Sequence, residues 1–123
     1  MTPNQFRKVA LSLPDVTEGQ HMGHADFRVR GKIVASLGFP DDDRGMIKVT
    51  PDQQAALCAS HAEAFQPCNG AWGRQGCTAV RLSAVRTPVV RAAFGFAVQN
   101  IVAMQPAKAS GRKASPKASR KRR

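Results

Sequence analysis

The chain has 123 residues, with 19 Lys or Arg against eight Asp or Glu, so its formal net charge is +11. That length suits one domain with one modest core and argues against a second. Three cysteines without a CxxC pair favour reduced thiols over a disulfide scaffold. The N-terminal residues lack a secretory signal pattern, and no apolar run approaches the roughly 20 residues that cross a bilayer. We therefore expect a soluble, cytoplasmic protein without a membrane partner.

The positive charge is concentrated at the C-terminus. Residues 107–123 carry eight basic residues and no acid, whereas residues 1–106 carry eleven basic and eight acidic residues, a balance of +3. The Ala, Ser, Gly and Pro of this segment offer nothing to bury, so we predict a folded domain over 1–106 and a disordered tail over 107–123. Such an arm binds phosphates by counterion release, or else only solubilises the protein. Its candidate DNA-binding residues are Lys108, Arg112, Lys113, Lys117, Arg120, Lys121, Arg122 and Arg123.

The first half of the domain predicts one helix and then several strands. Thr2 and Pro3 are a helix cap and a favourable first residue, and Phe6 opens an apolar pattern of helical spacing. Pro14 ends that helix. A turn at Gly31, where positive φ costs little, predicts a hairpin. The predicted strands cover 16–21, 27–30, 32–37 and 45–49.

The second half predicts two helices around one more strand. The capping pattern TPDQQ begins a helix that runs from Pro51 to about His61. A loop at 69–70, a strand over 77–82 and a helix from Thr87 follow. This order predicts an α+β fold in which helices cover one face of an antiparallel sheet. The apolar residues expected in the helix core are Phe6, Val9, Ala10, Leu13, Ala55, Leu57, Cys58, Ala62, Val90, Phe94, Ala97, Val98 and Ile101.

Strand alternation predicts a basic open face on that sheet. If the apolar strand residues point towards the helices, Arg28, Arg30, Lys48 and Arg81 point away from them. Such a face could lie against a phosphate backbone. Solvent-facing strands are also ordinarily charged, and these cations could simply pair with nearby carboxylates.

Two histidines, His21 and His24, raise the question of a metal or catalytic site. Glycines on both sides place them at a strand end and a turn, and the remaining Cys, His and Asp residues lack a recognised metal spacing. A Cys nucleophile with a His base would need an orienting third group, which the sequence does not place. We predict no catalytic residue, no metal and no cofactor.

The only tryptophan lies in a glycine-rich stretch, PCNGAWGRQGCT. The stretch lacks the GK[ST] ending of a phosphate-binding loop. Trp72 could be an anchor that packs this segment onto the sheet edge. Alternatively, Trp72 and Arg74 could form a wing that stacks on or inserts beside a nucleotide.

Three segments in order, HMGHADFRVRGKIVASL, GMIKVTPDQQAAL and AFQPCNGAWGRQGCTAVRL, resemble the MmcQ/YjbR family of small bacterial proteins over roughly residues 2–104. The resemblance implies a CyaY-like, or frataxin-like, α+β fold and DNA binding through a proposed double wing. Among the family's recurrent positions, it implies that Lys32, Lys48 and Trp72 could contact a ligand. Those positions are here Phe27, Val29, Gly31, Lys32, Lys48, Trp72 and Gly73.

The sequence thus favours a non-enzymatic protein that binds DNA weakly and without strong sequence preference. The main alternative is a module that binds a small molecule or a protein partner in a pocket near His21, His24 and Trp72. Iron or zinc binding by analogy with frataxin is disfavoured, because the first helix has no acidic ridge.

Deletion of residues 107–123 should leave the melting temperature nearly unchanged and flatten the salt dependence of duplex DNA binding. Each phosphate that is no longer neutralised should remove about 0.9 from the slope of log affinity against log salt. Thermal denaturation and fluorescence anisotropy across a salt series measure the two effects. A large fall in melting temperature would instead mean that the segment docks on the domain.

Overall fold

The structure is a computed structural model, and it describes residues 1–21, 23–38 and 41–104. Of His21 it describes the backbone only. The predicted tail, residues 107–123, lies outside the described residues. The elements are α1 (Pro3–Leu11), β1 (Val16–His21), β2 (His24–Val29), β3 (Lys32–Leu37), β4 (Arg44–Lys48), α2 (Pro51–Ser60), β5 (Phe65–Pro67), α3 (Gly70–Arg74), β6 (Cys77–Arg81), a 3-10 turn (Leu82–Ala84) and α4 (Thr87–Met104).

Capping boxes begin both α1 and α2. In α1 the Thr2 hydroxyl accepts the Gln5 N–H at 3.2 Å, and the Gln5 side chain accepts the Thr2 N–H at 2.8 Å. Thr50 and Gln53 make the same exchange in α2, at 3.1 and 2.9 Å. Each box satisfies two backbone donors that a helix start leaves unpaired. The predicted starts of both helices are therefore confirmed.

The described strands form one antiparallel sheet in the order β1-β2-β3-β4-β6-β5. The chain leaves β4 through α2, forms β5 at the sheet edge, and returns through α3 to insert β6 between β4 and β5. This arrangement confirms the predicted α+β class. Sequence patterning missed β5, which has only three residues, and predicted a loop where α3 forms.

The core lies between the sheet and the helices α1 and α4. Phe6, Phe27 and Phe94 are fully buried and pack together, with ring centroids 5.0 to 6.4 Å apart. Tilted and edge contacts at such distances are the arrangement that aromatic quadrupoles favour. Most of the predicted helix core is confirmed, but Ala55 and Ala62 are exposed.

One helix, α4, is long and apolar enough by length and composition to cross a membrane. Its residues Val90, Ala93 and Phe94 are fully buried within the domain. A core helix of a globular domain has the same apolar character, because it buries one face against neighbouring elements.

The hairpin between β2 and β3 differs from its prediction. The strand β2 begins at His24 and not at residue 27, and Arg30 lies outside it. Arg30 and Gly31 have φ of 53° and 82° and form the two-residue turn between the paired residues Val29 and Lys32. A short hairpin favours this left-handed conformation at both positions because it matches the twist of the strands. The predicted outward strand position of Arg30 is therefore wrong.

Two glycines close the junction between α3 and the sheet. A Cβ atom on Gly73 would lie 1.8 Å from the Cys68 carbonyl oxygen, and one on Gly76 would lie 1.8 Å from the Val49 carbonyl oxygen. Gly76 also has φ of 109°, which disfavours other residues. The buried Gln54 amide reinforces the junction by donating to the Gly73 and Cys77 carbonyls, both at 2.9 Å. Only glycine fits at these two positions.

Gly76→Ala should destabilise the protein by about 3 kcal/mol or more, because backbone must shift to admit the Cβ atom. Gly95→Ala in α4 is the matched control, since its Cβ atom would meet nothing within 4 Å. That control should stabilise the protein by about 0.5–1 kcal/mol, the helix preference for alanine over glycine. Chemical denaturation measures both variants, and equal effects would contradict the close-approach argument.

Candidate nucleic-acid interface

The sheet face opposite α1 and α4, here called the outer face, carries four basic side chains. Phe27, Ile47 and Val80 point into the core, so their neighbours along the strands point to the outer face. The structure thus places three predicted residues and one that was not predicted on this face. They are Arg28, Lys48 and Arg81, together with Arg44.

Arg28 is engaged in an ion pair. Its Nε donates to Asp26 Oδ1 at 2.8 Å and its Nη2 to Asp26 Oδ2 at 3.0 Å. Asp26 is only 1% exposed, and its hydrogen bond and charge raise the pKa of Arg28 above the ordinary value. A Cβ atom on Gly19 would lie 3.0 Å from Asp26 Oδ1, so the missing side chain makes room for this pair. Arg28 therefore stabilises the fold by pairing with Asp26. Of the two interpretations of the strand cations, the one in which they pair with nearby carboxylates is correct for Arg28.

Arg30 and Lys32 lie at the tip of the β2–β3 hairpin, and both are exposed. Lys32 is opposite the buried Val29, so its register places it on the helix side of the sheet. The structure does not bring these two residues onto the outer face with Lys48 and Arg81. Any contact they make with nucleic acid would involve the hairpin tip.

Trp72 lies in α3 with 69% of its surface exposed. The anchor interpretation of this tryptophan is wrong, because a buried indole would be largely covered. Arg74 is exposed and belongs to the same short helix. Gly76, just after this helix, contacts Val49. Lys48 precedes Val49 in the chain, so it lies near the end of the helix. We call Lys48, Trp72 and Arg74 the tryptophan corner. It combines one exposed aromatic ring with two cations.

The thiols beside this corner are poor nucleophiles. Cys68 donates its backbone N–H to the Cys77 carbonyl at 3.0 Å, which places the two cysteines opposite each other. Burial, with a smaller contribution from Cys77, raises the pKa of the Cys68 thiol to about 11. Burial also raises the pKa of Cys77, although the charge of Lys48 opposes this shift. Both thiols stay protonated at neutral pH, and a thiolate is the reactive form.

Sequence reasoning missed Arg44, which is directly opposite Arg81 across β4 and β6. It precedes the predicted strand and was assigned to a loop.

Asp43, the residue before Arg44, is held by hydrogen bonds. Its two carboxylate oxygens accept the Ser83 N–H at 2.9 Å and the Ser83 hydroxyl at 2.6 Å. These hydrogen bonds, and then the charges of Arg81 and Arg44, hold the pKa of Asp43 below its ordinary value.

The two histidines are paired at the ends of adjacent strands. His21 ends β1 and is paired with His24, the first residue of β2 and not a turn residue. Across residues 1–21, 23–38 and 41–104, no group of three or more His, Cys, Asp or Glu is arranged to hold a metal ion. The absence of a metal stays a prediction, since the His21 side chain is outside this description.

The sequence predicted a pocket near His21, His24 and Trp72. The structure does not bring His24 and Trp72 together into one pocket. His24 lines a depression with Pro3, Leu37 and Asp42, at the end of β3 that adjoins the start of β4. Trp72 lies three strands away, beside the opposite end of β4. A small-molecule site would therefore use one of the two residues alone.

The described domain is an α+β protein with helices on one sheet face and a partly basic outer face. The chain belongs to the YjbR family, whose model matches residues 11–93. This membership confirms the family that the three sequence segments indicated.

A solved structure supports the same fold. The chain resembles the crystal structure of protein DR2400 of Deinococcus radiodurans, which contains a DUF419 domain, with a TM-score of 0.69. The two share 18% sequence identity, over 89% of this chain and 83% of the other. At that identity the likeness shows the fold alone. No curated protein matches the chain.

Trp72→Ala should change the free energy of unfolding by only about 0.5 kcal/mol, because exposed positions contribute little to stability. Phe94→Ala, which removes a fully buried ring, is the contrasting variant and should cost about 3–5 kcal/mol. Urea denaturation followed by circular dichroism measures both. A loss of several kcal/mol for Trp72→Ala would restore the anchor interpretation.

Proposed function

We propose that this protein is a non-enzymatic, cytoplasmic DNA-binding protein that contacts phosphates weakly and without strong sequence preference. The exposed tryptophan corner carries this proposal, because the exposed indole and Arg74 lie in the short helix before β6, and Lys48 lies on β4, which pairs with β6. Aromatic rings stack on unpaired bases of any sequence, while Lys and Arg contact the phosphates of single strands and duplexes alike. We also propose a CyaY-like arrangement, which is supported by the packing of α1 and α4 on one sheet face.

The outer face contributes a second, weaker argument. Arg28 neutralises Asp26, but among the residues that the structure describes, Lys48, Arg44 and Arg81 form no ion pair. Exposed cations can exchange their counterions for phosphates at little cost in desolvation. The cationic tail residues predicted from sequence would add contacts of the same kind.

Two double variants with equal charge change test the proposal in the full chain. Lys48→Gln with Arg74→Gln removes two cations from the tryptophan corner. Lys8→Gln with Arg91→Gln removes two exposed cations from α1 and α4, on the other side of the sheet. The first pair should lower duplex affinity several-fold at low salt, equally for unrelated sequences, and reduce the salt slope by about 0.9 for each phosphate that is no longer neutralised.

Fluorescence anisotropy with two labelled duplexes at two salt concentrations measures these affinities. The control pair should retain most of the wild-type affinity, because its cations lie away from the proposed interface. Equal losses in the two double variants would mean that only net charge and the tail matter. The partner or small-molecule alternative, with the depression at His24, would then be the better hypothesis.

A further inference from the structure

The opposed arginines of β4 and β6 form an unusual arrangement on the outer face. Arg44 and Arg81 occupy directly paired positions, so their side chains leave the sheet on the same side. Like charges in such a pair repel each other and destabilise an antiparallel sheet. A ligand of opposite charge between them would remove this cost.

A small depression lies between these arginines. Both line it together with Gln66 of the edge strand β5 and the small residues Ala64 and Ala79. The depression is shallow and open to solvent, with a cavity volume of about 10 Å³, so a bound group would lie on the surface between the two side chains. The small alanine side chains leave this space open, and the Gln66 amide can add neutral donors to the two guanidinium groups.

Neither nearby acid forms an ion pair with the two guanidinium groups, although the Asp43 carboxylate interacts electrostatically with both. Each Asp43 oxygen accepts a hydrogen bond from Ser83, which fixes that carboxylate on the turn after β6. Glu63 lines the depression but forms no ion pair with Arg44 or Arg81. Within the described parts of the chain, the side chains of these two arginines make no hydrogen bond.

We propose that Arg44 and Arg81, assisted by Gln66, bind a phosphate monoester group. Two guanidinium groups match the double charge of such a group, and their planar N–H forks suit its oxygens. The site goes beyond the proposed backbone contacts, because a backbone phosphodiester carries one charge only. The same chemistry occurs in small phosphate esters and at phosphorylated ends of nucleic acid.

The test titrates inorganic phosphate and then ribose 5-phosphate into the full chain by calorimetry, at constant ionic strength. Arg44→Gln with Arg81→Gln should weaken binding of both probes at least about tenfold, since it removes the charge-assisted hydrogen bonds. The control pair Lys8→Gln with Arg91→Gln has the same charge change and should bind within about twofold of wild type, because its cations do not line the depression. Glu63→Gln should bind more tightly, because a repelling carboxylate is removed.

Folding of the double variant is checked by its melting temperature without phosphate, which should be no lower than that of wild type because the repulsion is relieved. Arg81→Lys provides a second variant that keeps the charge but loses the planar fork, and it should weaken binding by a smaller factor. Wild-type affinity for inorganic phosphate in both the arginine double variant and Arg81→Lys would overturn the proposal.

Oligonucleotides with and without a 5′-phosphate distinguish the sources of the ligand. Tighter binding of the phosphorylated strand, abolished in the arginine double variant, would support the site and assign it to nucleic-acid ends. No such difference, together with arginine-dependent binding of ribose 5-phosphate, would support the site and assign it to small phosphate esters. Failure here leaves the DNA proposal intact, because that proposal is tested at Lys48 and Arg74.

Discussion

The close approach of backbone at Gly73 and Gly76 determines how the sheet is completed. Gly76 lies against the Val49 carbonyl, which fixes the start of β6 at the end of β4. Gln54 donates to the Gly73 and Cys77 carbonyls and to the Thr78 hydroxyl, so α2, α3 and β6 are held together by one buried amide. A buried amide without these partners would cost about 1–3 kcal/mol, so the junction is specific as well as stable. This junction fixes where β6 begins beside β4, and the pairing of these two strands places Arg44 opposite Arg81.

The outer face contains cations with different roles, although they are chemically alike. Arg28 is held by Asp26 over Gly19, so removing it would leave a carboxylate that is 1% exposed without this partner. A buried charge that loses its partner is costly, and a binding assay on an Arg28 variant would therefore mix stability with affinity. Lys48 and Arg81 are exposed and can be changed with little effect on the core. Counting basic residues on a strand does not reveal this difference, because it depends on the side chain two residues away.

Much of the fold was predictable because its signals are local. The cap at Thr2, the capping box at Thr50 and the helical spacing of the core residues predicted α1, α2 and α4. The edge strand β5 was missed because three residues, one of them proline, give no alternation to detect. The short helix α3 was missed because glycines normally argue against a helix. Gly73 in this helix is required by the Cys68 carbonyl five residues earlier, and Gly76, which follows the helix, is required by the Val49 carbonyl, which is distant in sequence.

The candidate site was less predictable than the fold. Alternation placed Lys48 and Arg81 correctly, but Arg44 could not be recognised before the pairing of β4 with β6 was known. Opposition of two side chains is a property of register, and register depends on tertiary structure.

The tail and the domain would contribute to nucleic-acid binding in physically different ways. In the proposed binding, the tail's eight cations would act through counterion release, which is strongly salt-dependent and independent of sequence. The domain has a balance of only +3 through residue 106, so its own contribution depends on geometry more than on total charge. Stacking on Trp72 would contribute about 1–3 kcal/mol per base, as it does in proteins that bind single strands, and would depend weakly on salt. Stacking also requires a base that is not already stacked in a duplex. Affinity that persists at high salt and increases for single strands would therefore report on the tryptophan, whereas affinity that disappears with salt reports on the cations.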